Sequence, residues 1–424
     1  MLAALAALAL AVCARAGTYA YDLAREGSSA VAAPARVSIG DVFDISFPNG
    51  IAFSLKVVSA PPPGIAGQSF IARDGLSDAT AVVKPIPDGI RITIDDFANA
   101  RNFSLRVKDG VATYSAHDAS GAPADVCATC KDAGASAPPS QALTSGGQSS
   151  KAPTAKLRLA TAAAFPLAEQ KSVVDILVSF DQGAKAKCAS LGFDGMGDFA
   201  DYAVGKMNAV LANSQLDHLF CYRLVGVVEI DGAWTEINGA LLNSLRVREG
   251  SLAKLSQARE ACGADTITLL VDRTKGSTSG IAYGYYLSGG FDVPSKFDNP
   301  NYACNVCDIN TVYSRYTMSH ETGHNMGCGH SNRQGSNSGP GRYSDSCGYH
   351  FTDANGVRRG TVMAYTYAGD DDFYYNPIPY FSTPDISPPE YGCALGAEGV
   401  NNNRGAAVAH APLDQFGLEG DNRL

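Results

Sequence analysis

The chain has 424 residues, too many for one ordinary domain and well suited to two. Its 42 acidic side chains against 33 basic ones give a net charge of −9, and no dense Lys/Arg run breaks that balance, which excludes nucleic acid as the main partner. An apolar fraction of 45% is that of a globular protein.

The first residues read as an export address. Leu2 to Val12 is an apolar run, and Ala14-Arg15-Ala16 after it fits a small-x-small cleavage pattern, so residues 1–16 are expected to be a signal peptide. The run is too short to span a bilayer, and no other stretch is long and apolar enough. Cys13 offers a lipoprotein reading, against which stands the bulky Val12 before it. A soluble, secreted monomer without a membrane span is expected.

Eleven cysteines are present, and Cys13 would leave with the signal. Cys127 and Cys130 stand apart from the other eight: Cys188, Cys221, Cys262, Cys304, Cys307, Cys328, Cys347 and Cys393. In an oxidising compartment these eight read as up to four disulfides of undetermined connectivity. The rival reading gives Cys304-x-x-Cys307 and Cys127-x-x-Cys130 to a structural zinc.

Residues 17–130 read as a β-rich segment. Val37-Ser38-Ile39, Val42 to Phe47, Ile51 to Val58, Ile90 to Ile94, Phe103 to Val107 and Val111 to Tyr114 are short runs with partial alternation. Lys108-Asp109-Gly110 is a hairpin signal. Asn102-Phe103-Ser104 is a glycosylation sequon. Residues 131–156 are rich in Gly, Ala, Ser and Pro and read as a flexible linker.

From residue 157 to 424 strand and helix patterns alternate. Val173 to Phe180, Cys221 to Ile230 and Thr266 to Val271 are expected strands; Phe199 to Leu211 and Leu252 to Ala261 have helical spacing. A further helix is expected to start at Asp308 or Asn310 and to run through Val312, Tyr313, Tyr316 and His320.

That helix leads into His320-Glu321-Thr322-Gly323-His324-Asn325-Met326-Gly327-Cys328-Gly329-His330. His320 and His324 are one helical turn apart on one face, so both imidazoles can reach one ion. Gly327 permits a turn that residues with a Cβ resist, and the chain can return His330 as a third ligand. Three neutral imidazoles with an open fourth position describe a catalytic zinc site, with Glu321 beside it as a base for water.

This stretch resembles the long zinc motif of the metzincin metalloendopeptidases, and Thr361-Val362-Met363-Ala364-Tyr365 is similar to their methionine turn. The resemblance implies an α/β (α+β) catalytic domain with a twisted mixed sheet and a zinc-ligand helix, acting on protein or peptide substrates with Zn2+. Ser279 to Tyr283 is similar to the edge strand beside the metzincin cleft, and Arg404 to Phe416 to the final helix. The β-rich segment and linker then resemble a pro-segment, and Cys127 or Cys130 could serve as a latency thiol if they are not joined to each other. Within the clan, Ser331 is matrixin-like, whereas His324-Asn325-Met326-Gly327 is closer to the reprolysins or their microbial relatives. Tyr365 is similar to the tyrosine that reaches the zinc or the oxyanion in astacins and serralysins. The resemblance also implies that Asn376 to Pro384 walls the primed-side pocket.

Other residues invite a role. Asp370-Asp371-Asp372 could hold Ca2+, although a run of three lacks the spaced ligands of a calcium loop. His350, His218, His117 and His410 fall outside the motif and read as surface or packing residues. Two further functions share the same zinc pattern: hydrolysis of a non-peptide amide, and a catalytically silent zinc-fold binding protein.

Overall fold

The computed structural model describes residues 17–23, 33–34, 36–60, 69–75, 77–96, 99, 101–118, 172–284, 300–335 and 338–410. The signal segment, the linker, Cys127 and Cys130 lie outside the described residues.

Eight strands form one sheet in chain order: β1 (Thr18–Asp22), β2 (Val42–Ser46), β3 (Ala52–Ser59), β4 (Phe70–Asp74), β5 (Thr80–Ile86), β6 (Gly89–Asp96), β7 (Arg101–Lys108) and β8 (Val111–Asp118). β1 lies parallel to β2, and every later pair is antiparallel. At the β7–β8 hairpin Asp109 and Gly110 both take positive φ, 51° and 76°, which suits the right-handed twist of the strands. Phe47 and Phe53 meet Phe103 of β7 with ring centroids 4.8 and 5.4 Å apart, so the sheet curls over its own apolar face. Val37-Ser38-Ile39 is not the expected strand: Asp41 accepts the Ser38 N–H at 2.7 Å and makes it a turn. Asn102 of the sequon is buried and donates to Asp95, so no glycan fits there in the folded protein.

The second half has five strands, β9 (Ser172–Phe180), β10 (Phe220–Glu229), β11 (Thr266–Val271), β12 (Gly280–Ala282) and β13 (Cys304–Asp308). Their order is β10-β9-β11-β13-β12, four parallel and the edge strand β12 antiparallel. α1 (Gln182–Ser190) starts at Asp181, whose side chain accepts the Ala184 N–H at 2.7 Å. α2 (Met196–Asn213) packs on the sheet in the central core, while α3 (Gly239–Val247) and α4 (Lys254–Cys262) bury Leu241, Leu242, Leu245 and Leu255 in a separate core.

The helix expected to run unbroken from Asp308 is two, α5 (Ile309–Ser314) and α6 (Thr317–Asn325). Arg315 between them is extended, with φ −138° and ψ −162°. The break sends its buried guanidinium to the Tyr374 hydroxyl and over the Tyr374 ring, 5.6 Å from its centroid. A small sheet of β14 (His350–Thr352), β15 (Arg358–Gly360) and β16 (Asn376–Pro377) follows, and α7 (Asn403–His410) ends the described chain.

The two halves share a core. Ile71 and Val82 of the N-terminal sheet lie in one cluster with Phe199, Met207 and Met363. Ion pairs ring that contact: Arg106 with Asp194 at 2.7 Å, Lys206 with Asp95 at 3.3 Å, and Arg359 with Asp78 at 3.1 Å. Cys188, Cys262, Cys304, Cys328, Cys347 and Cys393 are thiols, and those of Cys304 and Cys328 donate to the carbonyls of Asn301 and Asn403 at 3.5 Å. Cys188 and Cys328 sit in the central core and Cys304 in another, where each packs as a small apolar side chain.

Candidate active site

α6 places His320 and His324 on one face, and its end creates the third position. Gly327 takes φ 89°, the left-handed value that a Cβ resists. The Cys328 N–H then bonds the Gly323 carbonyl at 2.9 Å, and the Gly327 N–H bonds that of His324 at 3.0 Å. This pair of bonds closes the helix and turns the chain back, so that His330 returns over α6.

The three imidazoles converge. His330 Nε2 lies 3.1 Å from His320 Nε2 and 2.9 Å from His324 Nε2. His320 Nδ1 faces the Val362 carbonyl at 2.7 Å, and His324 Nδ1 the Cys328 carbonyl at 3.0 Å. A carbonyl only accepts, so each Nδ1 carries the proton and each Nε2 presents a lone pair. Burial lowers the pKa of His320 to about 4, against the opposing pull of the Val362 carbonyl. Burial, with the neighbouring His330 and His320, pushes His324 well below its ordinary value. Buried lone pairs aimed at one point are costly unless a cation satisfies them. Among the described residues, His320, His324 and His330 are the one group of three that could hold a metal ion, with ligand atoms within 4.8 Å of one another. Three convergent imidazole nitrogens fit zinc.

Glu321 faces the edge strand. A Cβ on Gly280 of β12 would stand 2.4 Å from Glu321 Oε1, so the carboxylate occupies the space a side chain would need. The methionine turn supports the ligands from below. Val362 orients His320, and Met363 Sδ sits 2.7 Å from where a Cβ of Gly323 would be. Phe381, in the stretch Asn376 to Pro384, places Cε1 3.3 Å from the same Cβ position. The Tyr365 ring lies 4.9 Å from the His330 ring and 6.0 Å from that of His320.

Three residues that the sequence reading passed over or discounted also meet here. His350, read as a surface or packing residue, is buried and bridges Ser331 Oγ at 2.9 Å and the Tyr365 carbonyl at 2.6 Å. Gln334 accepts the Ser331 and Tyr365 N–H groups. Asn403 of α7 pairs with both backbone groups of Gly329, at 3.0 and 2.8 Å. None of these carries a sequence signature, because each acts on the backbone or a hydroxyl of a distant residue. The acidic turn behaves differently from a calcium loop: Arg333 holds Asp370 at 2.9 Å and Asp371 at 2.7 Å. That guanidinium lowers the Asp370 carboxyl below its usual range. No helix among the described residues is long and apolar enough to cross a membrane.

Residues 172–382 match the family model described as Reprolysin_5, Metallo-peptidase family M12. A search of curated proteins finds no match. Among solved structures, the chain is similar to one titled "Structure of a chaperone-substrate complex", at 13% identity and TM-score 0.40, over 90% of this chain and 46% of that one. It is also similar to metalloproteinase-II from Bacteroides fragilis, at 12% identity and TM-score 0.38, over 72% of this chain and 85% of that one.

Proposed function

The chain carries a metzincin-type zinc metalloendopeptidase domain of family M12, and from that premise we propose that it hydrolyses internal peptide bonds of protein or peptide substrates outside the cell. One observation carries the reading: three buried imidazoles converge within 4.8 Å while the adjacent Glu321 carboxylate lies against the edge strand. Zinc held by His320, His324 and His330 supplies the Lewis acidity that activates water and polarises a carbonyl.

The chain's own groups do the rest. β12 offers backbone groups along which an extended peptide can lie. Glu321 takes a proton from the attacking water and delivers it to the leaving amine nitrogen. Tyr365, beside His330, donates a hydrogen bond to the oxygen on which charge develops. Export rests on the apolar run Leu2 to Val12 and its small-x-small sequel.

Glu321→Gln is the test. The variant keeps its metal and fold and loses on the order of 10³-fold or more in turnover of a fluorogenic peptide library. Chelation of the wild type abolishes turnover, and zinc restores it. Full activity without zinc, or normal turnover by Glu321→Gln, defeats the reading. Cleavage of non-peptide amides alone moves the function to the alternative hydrolase.

A further inference from the structure

The segment after the third ligand and the tyrosine after the methionine turn are joined by two side chains that the reaction above leaves unused. His350, at the start of β14, is 4% exposed, and Gln334 is 6% exposed. His350 Nε2 faces the Tyr365 carbonyl at 2.6 Å, so it carries the proton, and Nδ1 accepts from the Ser331 hydroxyl at 2.9 Å. Gln334 Oε1 accepts two N–H groups, from Ser331 at 3.2 Å and from Tyr365 at 3.0 Å. Both side chains therefore clasp the same two residues. Ser331 follows ligand His330 directly, and Tyr365 faces that ligand at 4.9 Å between ring centroids. With its N–H and C=O both bonded, Tyr365 has its two peptide planes fixed. Tyr375 closes the pocket behind His350, 4.6 Å between rings.

We propose that His350 and Gln334 are positioning residues for catalysis: by tying Ser331 to Tyr365 they set the place of the Tyr365 hydroxyl relative to the ligand His330. The inference rests on the peptidase reading. Its physical basis is that a hydrogen-bond donor counts only where charge develops, so a shift of about 1 Å loses most of its effect, up to about 10²-fold. A pair that merely satisfied a buried loop would alter stability without regard to what Tyr365 carries.

A double-mutant cycle on the full-length, zinc-loaded chain separates the two. Tyr365→Phe lowers kcat about 10²-fold, and His350→Ala about tenfold, with zinc content unchanged and KM moved by less than about twofold. In the Tyr365→Phe background, His350→Ala costs less than about twofold, because the hydroxyl it positions is gone. His350→Gln, which keeps a donor and an acceptor, recovers most of the lost kcat, and it replaces His350→Ala in the cycle if the alanine variant does not fold. Equal losses in both backgrounds, or a Tyr365→Phe enzyme as active as the wild type, overturn the inference alone. A wild-type protein that cuts no peptide overturns the reading beneath it.

Discussion

The N-terminal sheet and the zinc-ligand region obtain their order in opposite ways. In the sheet each strand pairs with its predecessor in the chain, so short turns and alternation specify nearly everything. Around the ligands, residues 320–330, 341–350, 362–365 and 403 meet through single backbone groups, and little of it is regular structure. The sheet can exchange one apolar side chain for another at modest cost. The ligand region cannot move a carbonyl without moving an imidazole. Changes in the sheet are therefore expected to be read in stability, and changes around the ligands in rate or metal affinity.

Asp95→Ala challenges the first half of that contrast with the largest expected stability effect. Asp95 and Lys206 form a buried pair across the two halves, and Asn102 and Tyr202 also donate to Asp95. Burial pushes the Asp95 carboxyl up, with Lys206 opposing it. Removing the carboxylate leaves a buried ammonium held by the Tyr313 carbonyl at 2.8 Å. The expected loss is about 3 kcal/mol, read as a lower urea midpoint. Peptide turnover well below the transition changes by less than about twofold if the sheet acts only on stability. An equal fall in turnover would show that the sheet reaches the catalytic groups.

Gly280→Ala tests the other half. The new methyl would meet Glu321 Oε1 at 2.4 Å, so the carboxylate must leave its place against β12. Turnover is expected to fall about 10²-fold through misplacement of the base. Stability falls as well, by about 1–3 kcal/mol, because Glu321 Cγ and Cδ would also stand 2.7 and 2.8 Å from the new methyl and the buried side chain must shift as a whole. Unchanged kcat would mean that the contact of Glu321 with the edge strand is incidental.

The legible parts of this protein are those whose partners lie close in sequence. His320 and His324 are one turn apart, His330 follows a glycine turn, and Met363 sits in a short motif of its own. The missed strands β4 and β5 fail for a physical reason: Ile71 and Val82 face α2, while Ala72, Ala81 and Val83 face the sheet's own core. Burial on both sides removes the alternation that marks a strand. The break at Arg315 follows from a partner, Tyr374, 59 residues away. His350, Gln334 and Asn403 are bound to backbone atoms or a serine hydroxyl, and a backbone atom leaves no trace in residue type.

Asn403→Ala has the smallest effect of the three substitutions and makes the contrast finest. Asn403 pairs with Gly329 in the manner of a neighbouring strand, accepting its N–H at 3.0 Å and donating to its carbonyl at 2.8 Å. Gly329 stands between Cys328, whose carbonyl orients His324, and the ligand His330. Each of these bonds is shared, however. The Gly329 N–H also reaches the Ser346 carbonyl at 2.9 Å, and its carbonyl also accepts the Gly348 N–H at 3.0 Å. With half of a doubled support removed, the loop keeps its path and loses stiffness. Zinc affinity, measured by competition with a chromogenic chelator, is expected to fall by about tenfold or less. With zinc in excess, kcat should stay within about twofold of the wild type, because neither Glu321 nor Tyr365 is touched. A loss of kcat at full zinc occupancy would place Asn403 among the groups that set reaction geometry. Unchanged affinity would show that Ser346 and Gly348 hold the third ligand by themselves.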